Sequence, residues 1–567
     1  MEDKIYVVTL YREEDLEQFY DDMEANGFRL NMKRPLSRNT HYWMTEEQAH
    51  ELKKDERVWD IAAADSFVIR PQGIVNNTSY TKSGNFWKDD TVAPTTVSSS
   101  DHNWGFLHCA GTTVQKRKNT WGSGATSELV NDSVTIFNDG KHVDVVIVDD
   151  PVSYDCEEWE SPSSGLTRFV QYQWFNNLNT FVNSIDDDGQ TEPTGTITYY
   201  TNAANPTYHG VHVAGTVAGK YYGWAREANI YNMAVTAAWS SGQQVGALLI
   251  FDYLRAFHLN KAINATTGKK NPTITNHSYG GIYDLSTLPG GTFDFTELTS
   301  VTYQGVTYSS GNPPTGGWTQ ANVEATFGVR FGVDTYPSWS AAIAADVQDA
   351  IKDGVVIIGA AGNDNLLMAD VNDSNWNNTI TISGFGTIYY NRGAWPNSPD
   401  SGAINVGALS KYSNFRRSTY TQFGPGVDVF APGDNILSAF TNPSINGFAG
   451  LLDSKAGYGG SNYFYPISGT SMASPQVCGI IATLATNKDR FIQSDALRYV
   501  QQFSVSGEMT FNTGTGTYAD NTCSQGSPNR TITSQNPRPT SGLSNTTKGA
   551  RSTTGQAYPR PAIYHQA

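Results

Sequence analysis

Val145-Val146-Ile147-Val148-Asp149-Asp150 is a run of four β-branched apolar residues leading directly into two carboxylates. With no polar alternation, the run predicts a strand buried on both faces, as in a parallel sheet covered by helices. Ligands of such sheets gather beyond the carboxyl ends of the strands, so this strand delivers Asp149 to a cleft. A second run, Val355-Val356-Ile357-Ile358-Gly359-Ala360-Ala361-Gly362-Asn363, repeats the pattern and ends in small residues and an amide. Between residues 101 and 505 such strands alternate with helical stretches, which predicts an α/β fold with a parallel central sheet.

Outward from these strands the composition shifts. Of the first 70 residues 26 are charged, against 66 of the remaining 497. That step marks a boundary. Residues 5–10 read as a strand and residues 13–24 as a helix with Leu16, Phe19, Tyr20 and Met23 on one face, stopped at Gly27. Thr45-Glu46-Glu47-Gln48 is a capping-box pattern opening a second helix, and residues 58–63 read as a closing strand. The order predicts a small α+β domain over residues 1–70. Residues 71–100, rich in Ser, Thr, Asn, Gly and Pro, read as a linker, and residues 506–567 as a polar, poorly packed tail.

The 567 residues carry a net charge of −16, which argues against a nucleic-acid partner, since that would need basic clusters. No apolar run approaches the ~18–20 residues that cross a bilayer, so no membrane partner is expected. The first residues, Met-Glu-Asp-Lys, lack the basic and apolar regions of a secretory signal. Localisation in the cytoplasm or in a particle, a virion included, is the expectation. Four cysteines, Cys109, Cys156, Cys478 and Cys523, are too few for a disulfide framework in this length.

Three further segments carry chemistry. His209-Gly210-Val211-His212-Val213-Ala214-Gly215-Thr216 opens a helix of small residues, with His209 at its mouth as a general-base candidate and His212 one turn further in as a structural histidine. Ser468-Gly469-Thr470-Ser471-Met472-Ala473-Ser474-Pro475 precedes an apolar helix, and a serine there sits among free N–H groups that favour negative charge. Asn363 can donate to a developing oxyanion. Each piece alone also fits an ordinary strand end or helix cap.

Together, in the order Asp, His, Asn, Ser, they resemble the subtilisin-like serine protease family. HGVHVAGTVAG and GTSMASPQV are similar to its histidine and serine motifs; Ala431-Pro432-Gly433 and Ser278-Tyr279-Gly280-Gly281 also fit. The resemblance covers roughly residues 1–70 and 101–505. It implies a subtilisin-like three-layer α/β fold behind a ferredoxin-like propeptide domain, and a serine endopeptidase acting on proteins or peptides through an acyl-enzyme. Ser471 would be the nucleophile, His209 the base and Asp149 its orienting carboxylate, with Asn363 and the Ser471 N–H as the oxyanion hole. Ser278, Tyr279 and Gly280, with Ala360, Ala361 and Gly362, would bind substrate. Residues 1–70 would be the chain's own inhibitor, chaperoning folding and capping the cleft until autocatalytic processing of the zymogen within roughly residues 65–103. Trp104-Gly105-Phe106 is similar to the start of some mature domains.

Departures from the family are specific. Asp150-Pro151 stands where Ser or Thr and then Gly are usual, so Asp150 is kept as the second candidate for the orienting carboxylate. Val211, Tyr279 and Cys478 replace the usual Thr, Leu and Ala, and Cys478 reads as a small buried hydrophobe. Insertions are expected at about 156–205 and 282–336. No cofactor is required for the chemistry and no metal ligand is assigned. Calcium is common in this family, but Asp186-Asp187-Asp188-Gly189 fails as an EF-hand because Gly195 stands at the bidentate Glu position, so a structural calcium stays open and unassigned. A competing function is a capped, non-enzymatic structural or binding component, virion-associated in style. A second is a peptide ligase on the same scaffold, which no residue favours. Metalloprotease chemistry would need H-E-x-x-H or a similar motif, which the sequence lacks.

Overall fold

In the computed structural model the described residues are 4–33, 37–63, 79–87, 101–111, 129–185, 192–411, 416–445, 463–488, 490–506, 509, 530–532 and 534. The chain divides into two compact units, Met1–Asn77 and Thr78–Ala567.

The first unit runs strand Lys4–Leu10, helix Leu16–Ala25, strands Arg29–Met32 and Asn39–Met44, helix Glu46–Leu52 and strand Val58–Ala63. Its strands form one antiparallel sheet, in which Lys4–Leu10 lies between Asn39–Met44 and Val58–Ala63 and Arg29–Met32 takes the outer edge. That order is ferredoxin-like. Leu16, Phe19, Tyr20 and Met23 face Val8, Leu10, Tyr42 and Met44 in its core. The capping box closes at both ends: Gln48 N–H donates to Thr45 Oγ1 at 3.2 Å and Thr45 N–H to Gln48 Oε1 at 2.8 Å.

In the second unit, Asp144–Asp149 is flanked by Asn229–Ala234 and Thr273–His277. Val356–Ala360, Ile404–Leu409 and Val429–Pro432 follow in turn, all six strands parallel. Val145 to Val148 are all 0% exposed, because helices cover both faces. Helices His209–Ala218 and Thr470–Leu484 pack on each other and on the sheet, while Trp174–Ile185, Ile250–Asn260 and Ala341–Lys352 form another packed group.

Two stretches read from composition contain strands. Within the expected linker, Ser79–Trp87 is a nine-residue strand paired antiparallel with Leu129–Phe137. Its inward side chains are Tyr80, Lys82 and Phe86, and the buried ammonium of Lys82 is satisfied by the Tyr221 carbonyl at 2.6 Å. A lysine on the inner face disguised the period-two pattern. Within the expected tail, Arg530–Thr531 joins Val429–Pro432 in parallel and pairs with Val505–Ser506, and the adjacent Ile532 is 0% exposed. Most of both stretches, including residues 88–100, lies outside the described residues, as does the acidic run 186–189.

Residues 282–336, expected as an insertion, build a smaller core of their own. Leu285, Phe293, Leu298, Val301, Val323 and Phe327 pack there with Ile380, Ile382 and Ile388 from further along the chain. The stretch 156–205 supplies helix Trp174–Ile185, whose Trp174, Phe175, Leu178 and Val182 enter the main core.

Candidate active site

Asp149 ends its strand 1% exposed, with its Oδ1 accepting from its neighbour's N–H, that of Asp150, at 2.7 Å. His209 is the first residue of helix His209–Ala218, whose mouth sits directly on that strand end. A Cβ at Gly210 would stand 2.3 Å from the Asp150 carbonyl oxygen, so only glycine allows this approach. The contact brings His209 Nδ1 to 2.7 Å from Asp149 Oδ1. A carboxylate accepts, so Nδ1 carries the proton and Nε2 is left as the basic nitrogen. Burial by itself would lower the His209 pKa, but the charge of Asp149, the hydrogen bond to it and the charge of Asp150 outweigh burial and hold it above the ordinary histidine value.

Asp150 turns the other way, its Oδ1 taking the Thr236 hydroxyl. Burial and then the neighbouring Asp149 charge raise its pKa. Of the two candidates, the structure puts Asp149 on the imidazole. His212 is neutral, its Nε2 donating to the Ile436 carbonyl at 2.7 Å and its pKa driven by burial down to about 3. Its role is structural.

Ser471 is the second residue of helix Thr470–Leu484. Its Oγ donates to the Ser278 carbonyl at 3.2 Å, and Ser278 Oγ donates to the Ser471 carbonyl at 3.0 Å. The second bond has a cause in the sequence. Pro475, four residues on, has no N–H to give that carbonyl, and Ser278 supplies the missing donor. His277 pairs with Val148, so Ser278 lies one step beyond, beside Asp149. The serine is thereby tied to the strand end next to the one that holds the histidine.

Asn363 follows strand Val356–Ala360. Its Oδ1 accepts from Thr470 N–H at 2.9 Å and from the Thr470 hydroxyl at 2.8 Å. A backbone N–H can only donate, which fixes the amide orientation and leaves Nδ2 as the outward donor. The Ser471 N–H belongs to the first helical turn, which has no intrahelical acceptor. A Cβ built on Gly469 would lie 3.5 Å from Ser471 N and 3.7 Å from Asn363 Nδ2, so both donors border one small space. That space suits an oxygen gaining negative charge.

Among the expected substrate-binding residues, Ser278, Ala360 and Ala361 are buried, Tyr279 and Gly362 half-buried, and Gly280 exposed at the end of the strand. Two side chains escaped the sequence reading. Thr470 lay inside the serine motif, but its hold on Asn363 is a contact across 107 residues. Asn397 Nδ2 comes within 3.1, 2.9 and 3.1 Å of the carbonyls of His277, Tyr279 and Ala360, tying the two neighbouring strand ends together. It fits because residue 359 is glycine; a Cβ there would lie 1.8 Å from Asn397 Oδ1. No local pattern announces either contact.

Cys109, Cys156 and Cys478 are buried, and burial raises the Cys478 pKa as expected of an inert small hydrophobe; Cys523 lies outside the described residues. Among the described residues, no group of three His, Cys, Asp or Glu side chains could hold a metal ion. Nor is any described helix long and apolar enough to cross a membrane.

Fold and site thus define an α/β protein with a carboxylate-oriented histidine, a helix-borne serine and paired N–H donors at the carboxyl ends of a parallel sheet. The profile of the Subtilase family matches residues 77–517, and the chain belongs to that family. It is 27% identical to proteinase R of Parengyodontium album over 313 residues, which are 55% of this chain and 53% of that protein. With alkaline protease 1 of Aspergillus flavus it shares 27% identity over 380 residues, 66% of this chain and 60% of that one. The chain thus spans between half and two thirds of the length of these relatives. A crystal structure of a cold-adapted subtilisin-like serine proteinase is 20% identical and covers 76% of this chain and 98% of its own, with a TM-score of 0.41.

Proposed function

We propose that the protein is a serine endopeptidase that hydrolyses peptide bonds in proteins through an acyl-enzyme on Ser471. The observation that carries the reading is the 2.7 Å hydrogen bond from His209 Nδ1 to Asp149, which leaves Nε2 basic at the mouth of the cleft. The Ser471 hydroxyl turns from the Ser278 carbonyl to His209 Nε2 and gives it the proton as Oγ attacks the scissile carbonyl. The oxyanion is held by Asn363 Nδ2 and Ser471 N–H. His209 then protonates the departing amine, and water, deprotonated by the same nitrogen, releases the acyl group. Protease names among the relatives support the same reading.

Residues 1–70 are then the propeptide and intramolecular inhibitor, removed by cleavage within roughly residues 65–103. The reading is tested by incubating wild type beside Ser471→Ala and following intact mass and labelling by a fluorophosphonate. Loss of N-terminal mass and labelling in wild type alone support it. Two full-length, unlabelled chains would mean a latent zymogen or the capped, non-enzymatic component, and labelling after removal of residues 1–70 separates the two.

A further inference from the structure

The turn that carries Asn363 is fastened twice. Thr470 holds the Asn363 amide and, through its hydroxyl, accepts from Gly362 N–H at 3.2 Å. The second fastening is Gln422, which is 2% exposed. Its N–H donates to the Gly362 carbonyl at 3.0 Å, its Nε2 donates to Asp364 Oδ2 at 2.9 Å, and its Oε1 accepts from Leu366 N–H at 2.6 Å. One buried residue therefore grips the chain before, beside and after Asn363. Room for it depends on Gly362, at φ +111°, where a Cβ would stand 2.9 Å from Gln422 Cγ. The same turn is loaded with other ties. Arg330, from the stretch 282–336, donates to the Asp364 carbonyl, and Asn365, at φ +52°, donates its N–H to the Tyr420 carbonyl at 2.7 Å. Asn363 is itself exposed, so its aim is set by the backbone that carries it and by Thr470.

We propose that Gln422 is a positioning residue for the oxyanion site, acting through the backbone of residues 362–366 to keep the Asn363 amide beside the Ser471 N–H. It touches no reacting atom. The inference rests on the peptidase reading above and deepens it. An oxyanion donor contributes only when it lies at hydrogen-bond distance from where the charge develops, so a shift of the turn of well under 1 Å lowers kcat while leaving ground-state binding nearly intact. Unlike Asn363, Gln422 has no distinguishing sequence motif; its role exists only because the segment before strand Val429–Pro432 is folded against the turn.

The test is a double-mutant cycle between Gln422→Met, which keeps the volume and removes both hydrogen-bonding ends, and Asn363→Ala. It is read as kcat and KM on one chromogenic peptide anilide and as affinity for the matching peptide aldehyde. Gln422→Met is expected to lower kcat by about 10- to 100-fold with KM within about twofold, and to weaken the aldehyde in step. In the Asn363→Ala background the same change is expected to cost no more than about twofold, because the donor it aims is gone. Equal losses in both backgrounds, or lowered thermal stability with kcat unchanged, would overturn the proposal. If Gln422→Met does not fold, Asp364→Ala, which removes one of its two side-chain partners, must show the same non-additivity. An Asn363→Ala enzyme with undiminished kcat would overturn the oxyanion reading itself. A normal loss at Asn363, about 10²–10³-fold, with none at Gln422 would reject only the inference about Gln422.

Discussion

Ser278 Oγ donates to the Ser471 carbonyl at 3.0 Å, the one carbonyl of the first helical turn that Pro475 deprives of its N–H donor. A proline that would ordinarily weaken a helix is thus matched by a hydroxyl from the neighbouring strand, and the exchange anchors the serine to the sheet.

Ser278→Ala should therefore leave a buried carbonyl unpaired and destabilise the second unit by about 1–3 kcal/mol. Pro475→Ala in the same chain should recover part of that loss by restoring an N–H. Denaturant midpoints of the single and double variants check this; equal stability of Ser278→Ala and wild type would contradict it.

The acid limb of kcat/KM should titrate above pH 6.5. Hydrolysis needs neutral His209, and its pKa is held above the ordinary 6.5 by Asp149 against the opposing effect of burial. Asp149→Asn should lower kcat by about 10⁴-fold, since an amide can hold the ring in the wrong tautomer. A pH profile and a kcat on one peptide anilide test both statements.

Gly210→Ala should abolish the proposed hydrolysis without touching any reacting group. The added Cβ meets the Asp150 carbonyl oxygen at 2.3 Å, so the helix mouth must retreat and take His209 with it. A cost of about 1–3 kcal/mol in stability is expected. Loss of fluorophosphonate labelling in a variant that still unfolds cooperatively is the outcome to look for.

Acid should destabilise the second unit through its buried histidines. Burial, with help from Lys261 and Lys270, pushes His258 down to about 4, while its Nδ1 is bonded to Thr273 Oγ1 at 2.8 Å; Asp353 and Asp144 oppose the shift. The unfolded chain takes up this proton near pH 6.5 and the folded chain near 4. Stability from this group is therefore complete above 6.5 and is lost as pH falls from 6.5 towards 4. His258→Asn should flatten the stability–pH curve in that window, as followed by tryptophan fluorescence in denaturant.

Much of the second unit was legible because its strands are apolar on both faces, so Val145 to Val148 and Val355 to Ile358 declare a parallel sheet without alternation. The first unit was legible from helical periodicity and a capping box. The strand Ser79–Trp87 was not, because its inner face includes Lys82, whose ammonium is satisfied by a carbonyl 139 residues away. Likewise Arg530–Thr531 is too short to show a period, and only its pairing with Val429–Pro432 and Val505–Ser506 makes it a strand.

By itself, the sequence determined which residues end buried strands and open helices, since burial and helix starts follow from local pattern; Asp149, His209, Asn363 and Ser471 stand at such places, and their order with the motifs around them carried the resemblance. Tertiary structure alone decided between Asp149 and Asp150 for the imidazole, aimed Asn363 through Thr470 and Gln422, and wedged Asn397 against Gly359. Each of these is a contact between segments remote in sequence, where the deciding quantity is whether two surfaces leave room for a side chain and a partner for its polar atoms. Local pattern cannot encode that choice, because it is made by the geometry of the closed fold.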